Sequence, residues 1–193
     1  MKKEILFERL RQNTHRQYDM PDINLTGIHY DNTFQKFVDM SKQMGAQVII
    51  ANKTDDLNQI IRNIYPQAKT YASNLPYITT DHKDPDTVAE ASDLNGTDVG
   101  IVSGQLGVAE NGCVWIPQTM KERAVLFISE YLVILLDAQD VVDNMHQAYD
   151  RITMDDRYGY GTFISGPSKT ADIEQALVMG AQAARGVTIV LLK

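Results

Sequence analysis

The segment Tyr-Leu-Val-Ile-Leu-Leu at 131–136 is apolar at every position. A strand with apolar residues on both of its faces must be covered on both, so it belongs inside a layered α/β structure and not on a half-wet antiparallel sheet. Shorter runs of the same kind recur at 47–51, 99–102, 161–165 and 187–192. Helical stripes lie between them. From Asn32, a cap with Gln35 three positions on, Phe34, Phe37, Val38, Ser41 and Met44 recur at helical spacing until Gly45. Thr54 or Asp55 caps a second stripe of Leu57, Ile60, Ile61 and Ile64, closed by Pro66. Further helices are expected at 121–127, at 139–149 with Val141, Val142, Met145 and Tyr149 inward, and after Thr170 with Ile173, Ala176, Leu177, Gly180 and Ala184 on one face. The expected architecture is α/β: a three-layer α/β/α fold whose mostly parallel sheet contains Val48, Ile101, Val133, Phe163 and Val190.

An antiparallel β-hairpin insertion interrupts this rhythm. Leu106 to Glu110 and Cys113 to Ile116 flank Asn111-Gly112, the strongest short hairpin signal, because both central residues of a type I′ turn need positive φ. Residues 76–93 hold two prolines and five acidic side chains and are expected to be loops with a short helix, while 1–30 form an N-terminal helix and a connecting segment. At 193 residues, one domain is the default.

Charge and composition narrow the function. A net charge of -7 without a dense basic run gives no footprint for a phosphate backbone, so nucleic acid is a poor partner. The single cysteine, Cys113, excludes an internal disulfide and a cysteine-ligated iron-sulfur cluster or multi-cysteine zinc site built from this chain's own residues. The four histidines form no i, i+3 or i, i+4 pair, and no metal site is expected. The apolar runs fall far short of the ~18 residues of a spanning helix, and 1–11 is charged throughout, which points to a cytoplasmic protein.

The most informative segment is Ser165, Gly166, Pro167, Ser168, Lys169, Thr170 and Asp172. With a strand before it and a helix expected after it, the helix would start at the strand's carboxyl edge with unpaired N–H groups and a positive dipole end. An anion-binding crevice would suit that place, with Lys169 adding charge and the hydroxyls adding donors. The plainer alternative is that Ser168 or Thr170 caps the helix and Asp172 complements its dipole.

The nine residues Gly-Pro-Ser-Lys-Thr-Ala-Asp-Ile-Glu at 166–174, followed by Leu-Val-Met-Gly at 177–180, closely resemble the signature of the LUD-domain family, which includes lactate-utilisation protein C. Gly-Val-Ala-Glu-Asn-Gly-Cys at 107–113 is similar to that family's Gly-Ile-Ala-(Asp/Glu)-Thr-Gly-Thr pattern, with Asn111 and Cys113 in place of threonines, and 132–135 is similar as well. Residues 180–185 depart from the family's Gly-Val-His-Gly-Pro, so the role of that histidine does not carry over. The resemblance implies a single LUD-like domain over 1–193, of the sugar-phosphate-isomerase and CoA-transferase type. It also implies a part in oxidising L-lactate to pyruvate, with no cofactor in this chain and iron-sulfur clusters in partner proteins.

Other residues are weaker candidates. Glu110 at the turn could be a catalytic base or nucleophile, since Ala-Glu-Asn-Gly also resembles the Ser-Glu-Asn-Gly motif of CoA transferases; a solvated hairpin glutamate is the alternative. Lys121 and Arg123 are secondary candidates for the same crevice, and Cys113 is expected to be a small buried residue. Three functions follow: an accessory subunit of a lactate-oxidising complex, a free-standing acyl-CoA or sugar-phosphate enzyme using Glu110, and a small-anion sensor. A homo-oligomer is compatible with each.

Overall fold

The computed structural model describes residues 3–13, 27–173 and 176–193, and side chains other than those of 171–177. Its centre is a parallel sheet of β1 (Gln47–Ala51), β2 (Tyr71–Ala72), β3 (His82–Lys83), β4 (Val99–Ser103), β7 (Tyr131–Asp137) and β12 (Gly186–Leu192), in the order β1-β12-β7-β4-β2-β3. The apolar runs sit innermost, with Leu132 to Leu136 and Val187 to Leu191 almost wholly excluded from solvent. Their side chains alternate between two cores. Leu132, Ile134, Leu136, Ile189 and Leu191 face one side, with Phe37 and Val38 of α2 (Thr33–Gln43) and Val125 and Leu126 of α4 (Val125–Ile128). Val133, Leu135 and Val190 face the other, where Ile61 of α3 (Leu57–Ile64) closes over them. Helices on both faces of a mostly parallel sheet are therefore present as expected.

The helix starts follow local chemistry. Asn32 accepts from Gln35 N at 2.9 Å at the head of α2, and Asp56, one residue past the caps expected, accepts from Gln59 N at 3.1 Å at the head of α3. The N-terminal helix α1 (Lys3–Gln12) is present and has no buried residue.

The expected antiparallel hairpin, β5 (Leu106–Val108) and β6 (Cys113–Pro117), is present as the middle of a second sheet, β8-β5-β6-β9, completed by β8 (Val141–Val142) and β9 (Gly161–Ile164). Phe163 belongs to this sheet, paired with Trp115, and not to the parallel one. Residues 139–149 are not one helix: a 3-10 turn leads into β8, whose β-branched valines pair with Gly107 and Val108, and Asn144 then caps the short helix α5 (Met145–Arg151). The helix expected over 121–127 shortens to α4, because Asp86 takes the Lys121 N–H at 2.7 Å and holds the chain in a loop. The turn after β5 is a four-residue connection closed by Gly112 N donating to Val108 O at 2.8 Å, not a two-residue one.

The largest departure follows residue 168. Instead of a helix, β10 (Lys169–Ile173) and β11 (Ala176–Met179) form an antiparallel pair, with Thr170 facing Val178 and Ile173 facing Ala176. Of these pairs, Thr170 and Val178 are opposed β-branched residues, which stabilise a strand pair, and strand pairing here overrides a helical spacing of apolar residues. Strand β1 also differs from the buried strand expected: it is a sheet edge with Ile50 52% exposed.

Candidate functional site

The segment 165–169 borders a cleft of about 420 Å³ lined by Leu126, Phe127, Leu132, Val187, Thr162, Ser165, Ser168, Lys169 and Gln182, among others. An apolar wall with a few convergent polar groups is what a small-ligand site offers. Its position is not the one expected. Leu132 and Val187 are second in β7 and β12, so the cleft lies toward the amino ends of the parallel strands, and its loop leaves β9 of the second sheet.

The electrostatics are also reversed. Gly166 has φ +69° and stands so close to the end of α2 that a Cβ there would come 2.4 Å from the Met44 carbonyl oxygen. Lys169 Nζ donates to the same oxygen at 2.6 Å. A lysine at a helix C-terminus pairs with orphan carbonyls and the negative dipole end. The loop thus meets the negative end of α2, not the positive end of a following helix. Ser168 N donates to Ala184 O and Gly180 N to Ser168 O, and Ser165 Oγ donates to Asn111 O at 2.9 Å. Thr170 lies in β10, and the side chain of Asp172 is outside the described residues.

Through Asn111 the loop touches the other motif, but Glu110 turns elsewhere. Its Oε2 accepts from Met145 N at 3.0 Å at the start of α5, where an acidic side chain complements unpaired N–H groups. Beside it, Asp143 Oδ2 binds His29 Nδ1 at 2.8 Å and its Oδ1 accepts from Thr33. Burial pushes the Asp143 carboxyl up, but the Thr33 and His29 bonds outweigh it and hold it below the usual range. Cys113 is buried against Met145, with Sγ 4.0 Å from Sδ, and burial pushes its thiol up to about 12, the opposite of an activated nucleophile. Lys121 Nζ donates to Val88 O at 2.8 Å, and Arg123 lies over the Tyr160 ring at 4.3 Å. Neither lines the cleft.

Two further concavities had no sequence signal. One, of about 440 Å³, also at the amino ends, is lined by the Tyr65 and Tyr131 rings, Asp98, Glu130 and Arg185. Arg185 pairs with Glu130 and donates to Tyr131 Oη at 2.6 Å; Lys69 and Thr70 N–H groups hold Asp98 below its usual pKa. The other, of about 520 Å³ at the carboxyl ends, has Lys53 paired with Asp137, whose carboxyl that lysine lowers. Residues this far apart in sequence meet only when the strands align. Among the described residues, no group of three or more His, Cys, Asp or Glu is placed to hold a metal, and no helix is long and apolar enough to cross a membrane.

Comparison with known proteins agrees with the fold and the motif. A crystal structure of a DUF162 family protein from Deinococcus radiodurans superposes with a TM-score of 0.64 at 12% identity, over 86% of this chain and 100% of that one. Lactate utilization protein C of Shouchella clausii is 33% identical over 107 residues, 52% of this chain and 45% of that protein. Its namesake in Oceanobacillus iheyensis is 29% identical over 101 residues, 49% and 43% respectively. The chain therefore spans less than half the length of these relatives. The LUD domain model matches residues 34–192, reaching well beyond the motifs at 107–113 and 166–180, and the chain belongs to the LUD-domain family.

Proposed function

We propose that this chain works in L-lactate utilisation, as a cytoplasmic accessory component of a system that oxidises L-lactate to pyruvate. The observation that carries this reading is the LUD domain over 34–192 together with the 33% identity to a lactate utilization protein C. Removing two electrons and two protons from lactate requires a redox centre. The only thiol of this chain is buried and pushed up to about 12, which supports placing the clusters in iron-sulfur partner proteins.

In this reading the cleft beside Gly166 and Lys169 receives the small anion. An ammonium has three donors, and one is directed at Met44 O; the others, with the Ser168 hydroxyl, can hold a carboxylate while Leu126, Phe127 and Leu132 cover its carbon skeleton. The free-standing enzyme reading would use Glu110, whose carboxylate accepts from Met145 N at the head of α5.

The test has two arms. Thermal stability of the chain is measured with L-lactate, pyruvate, phosphate and CoA, and each shift is compared with that of Lys169→Ala and Ser168→Ala relative to their own ligand-free values. Lactate or pyruvate should raise the melting temperature of the wild type, and Lys169→Ala should reduce that rise by more than half. No shift with any anion removes the crevice. In the second arm, the chain is purified from lactate-grown cells, and the fraction is assayed for iron and for lactate-dependent dye reduction. An iron-free, inactive fraction removes the accessory-subunit reading.

A further inference from the structure

The two edges of the parallel sheet are built differently. At one, β3 is two residues long, carries Lys83 and runs into Asp84 and Pro85, the short, charged, proline-stopped form that discourages pairing with another chain. At the other, β1 is five residues long, Gln-Val-Ile-Ile-Ala, with neither charge nor proline, and bonds β12 along one side. The Ala51 carbonyl turns toward β12, accepting from Lys193 N at 2.9 Å, so by strand alternation Val48 and Ile50 turn their N–H and C=O groups outward. No hydrogen bond from a described residue reaches them. The Ile50 side chain, at the same edge, is 52% exposed.

We infer that β1 is a pairing edge for a second copy of this chain, which adds its own β1 antiparallel across a two-fold axis and joins the two sheets into one. A two-fold contact sets a surface against a copy of itself, so a strand without charges meets no like charge there. The alternation fixes the register. With the axis through Ile49, Val48 of each copy lies opposite Ile50 of the other, the outward N–H and C=O groups of both residues exchange bonds, and the exposed Ile50 side chain packs on a β-branched neighbour. This inference does not depend on the lactate reading.

The mass of the full chain, measured by light scattering and sedimentation over a hundredfold range of concentration, tests it. The wild type should be a dimer. Ile50→Lys and Ile50→Glu should each weaken dimerisation at least tenfold while keeping the wild-type circular dichroism spectrum, because the side chain lies at an open edge. Mixing the two variants should restore a heterodimer, since Lys and Glu then meet close to the axis. A wild type that is monomeric throughout overturns the inference, even if another polypeptide occupies the edge. So does an Ile50→Lys variant that dimerises as tightly as the wild type.

Discussion

Replacing Gly112 by alanine tests how the Glu110 turn is seated on α2. Gly112 has φ +66°, and a Cβ there would stand 2.6 Å from Ser41 N and 2.8 Å from the Met40 carbonyl carbon, both backbone atoms of α2. Ser41 is fully buried at this contact, and its Oγ donates to Gly112 O at 3.3 Å. Left-handed backbone costs a residue with a Cβ ~1–2 kcal/mol. Forcing packed elements apart costs ~1–3 kcal/mol more. The sum, about 2–5 kcal/mol, corresponds to a fall in melting temperature of roughly 4–20 °C for a chain of this size. Gly96→Ala is the matched control: its φ is +73°, and a Cβ there would meet nothing within 4 Å, so only the backbone cost, about 2–8 °C, should appear. Melting followed by circular dichroism at neutral pH measures both. Equal losses at the two sites would refute the close approach of the turn to α2, whereas a larger loss at Gly112 locates the excess at the helix backbone.

Three further outcomes are expected. Glu110→Ala should lower stability by about 1 kcal/mol through the lost acceptor at Met145 N, and Glu110→Gln by less, since it keeps an acceptor and loses only the favourable charge at the head of α5; equal stability of all three proteins in thermal melts would count against this role. Cys113 should resist iodoacetamide at pH 8 in the native protein and react once denatured, because burial holds its pKa at about 12; rapid native labelling, read by mass spectrometry, would contradict the buried site. Acid should destabilise the fold in a defined window. Asp98, Asp137, Asp143 and Asp155 all titrate below 3.8 when folded, Asp155 at about 2 beside Arg157, so their contribution is complete above pH 4 and lost as pH falls from about 4 toward 2. A melting temperature that rises over that interval would reverse the sign.

Some of the site was legible and some was not, and the division has a local cause. The cap at Asn32 and the turn around Asn111 and Gly112 depend on residues within four positions of one another, so a motif exposes them. Residues 166–169 of the motif border a cleft, but the segment was given the wrong neighbour. Its Gly and Lys suit close approach and charge at a helix end, and nothing within the segment says that this end is the C-terminus of α2, more than a hundred residues earlier. Glu110 likewise has a partner that only the fold supplies, Met145 N, 35 residues on.

The sequence by itself determined the α/β class, the innermost strands and the family. Runs apolar on both faces, such as 131–136, must be covered on both, and a motif survives as a string of residues whatever surrounds it. Only the tertiary structure decided that residues 169–173 and 176–179 pair as strands, that Phe163 joins a second sheet and that β1 is an edge. Hydrophobic periodicity records which side chains are buried but not which strand lies alongside. Hydrogen-bond partners and the sign of a neighbouring helix end are set by residues far away in the chain.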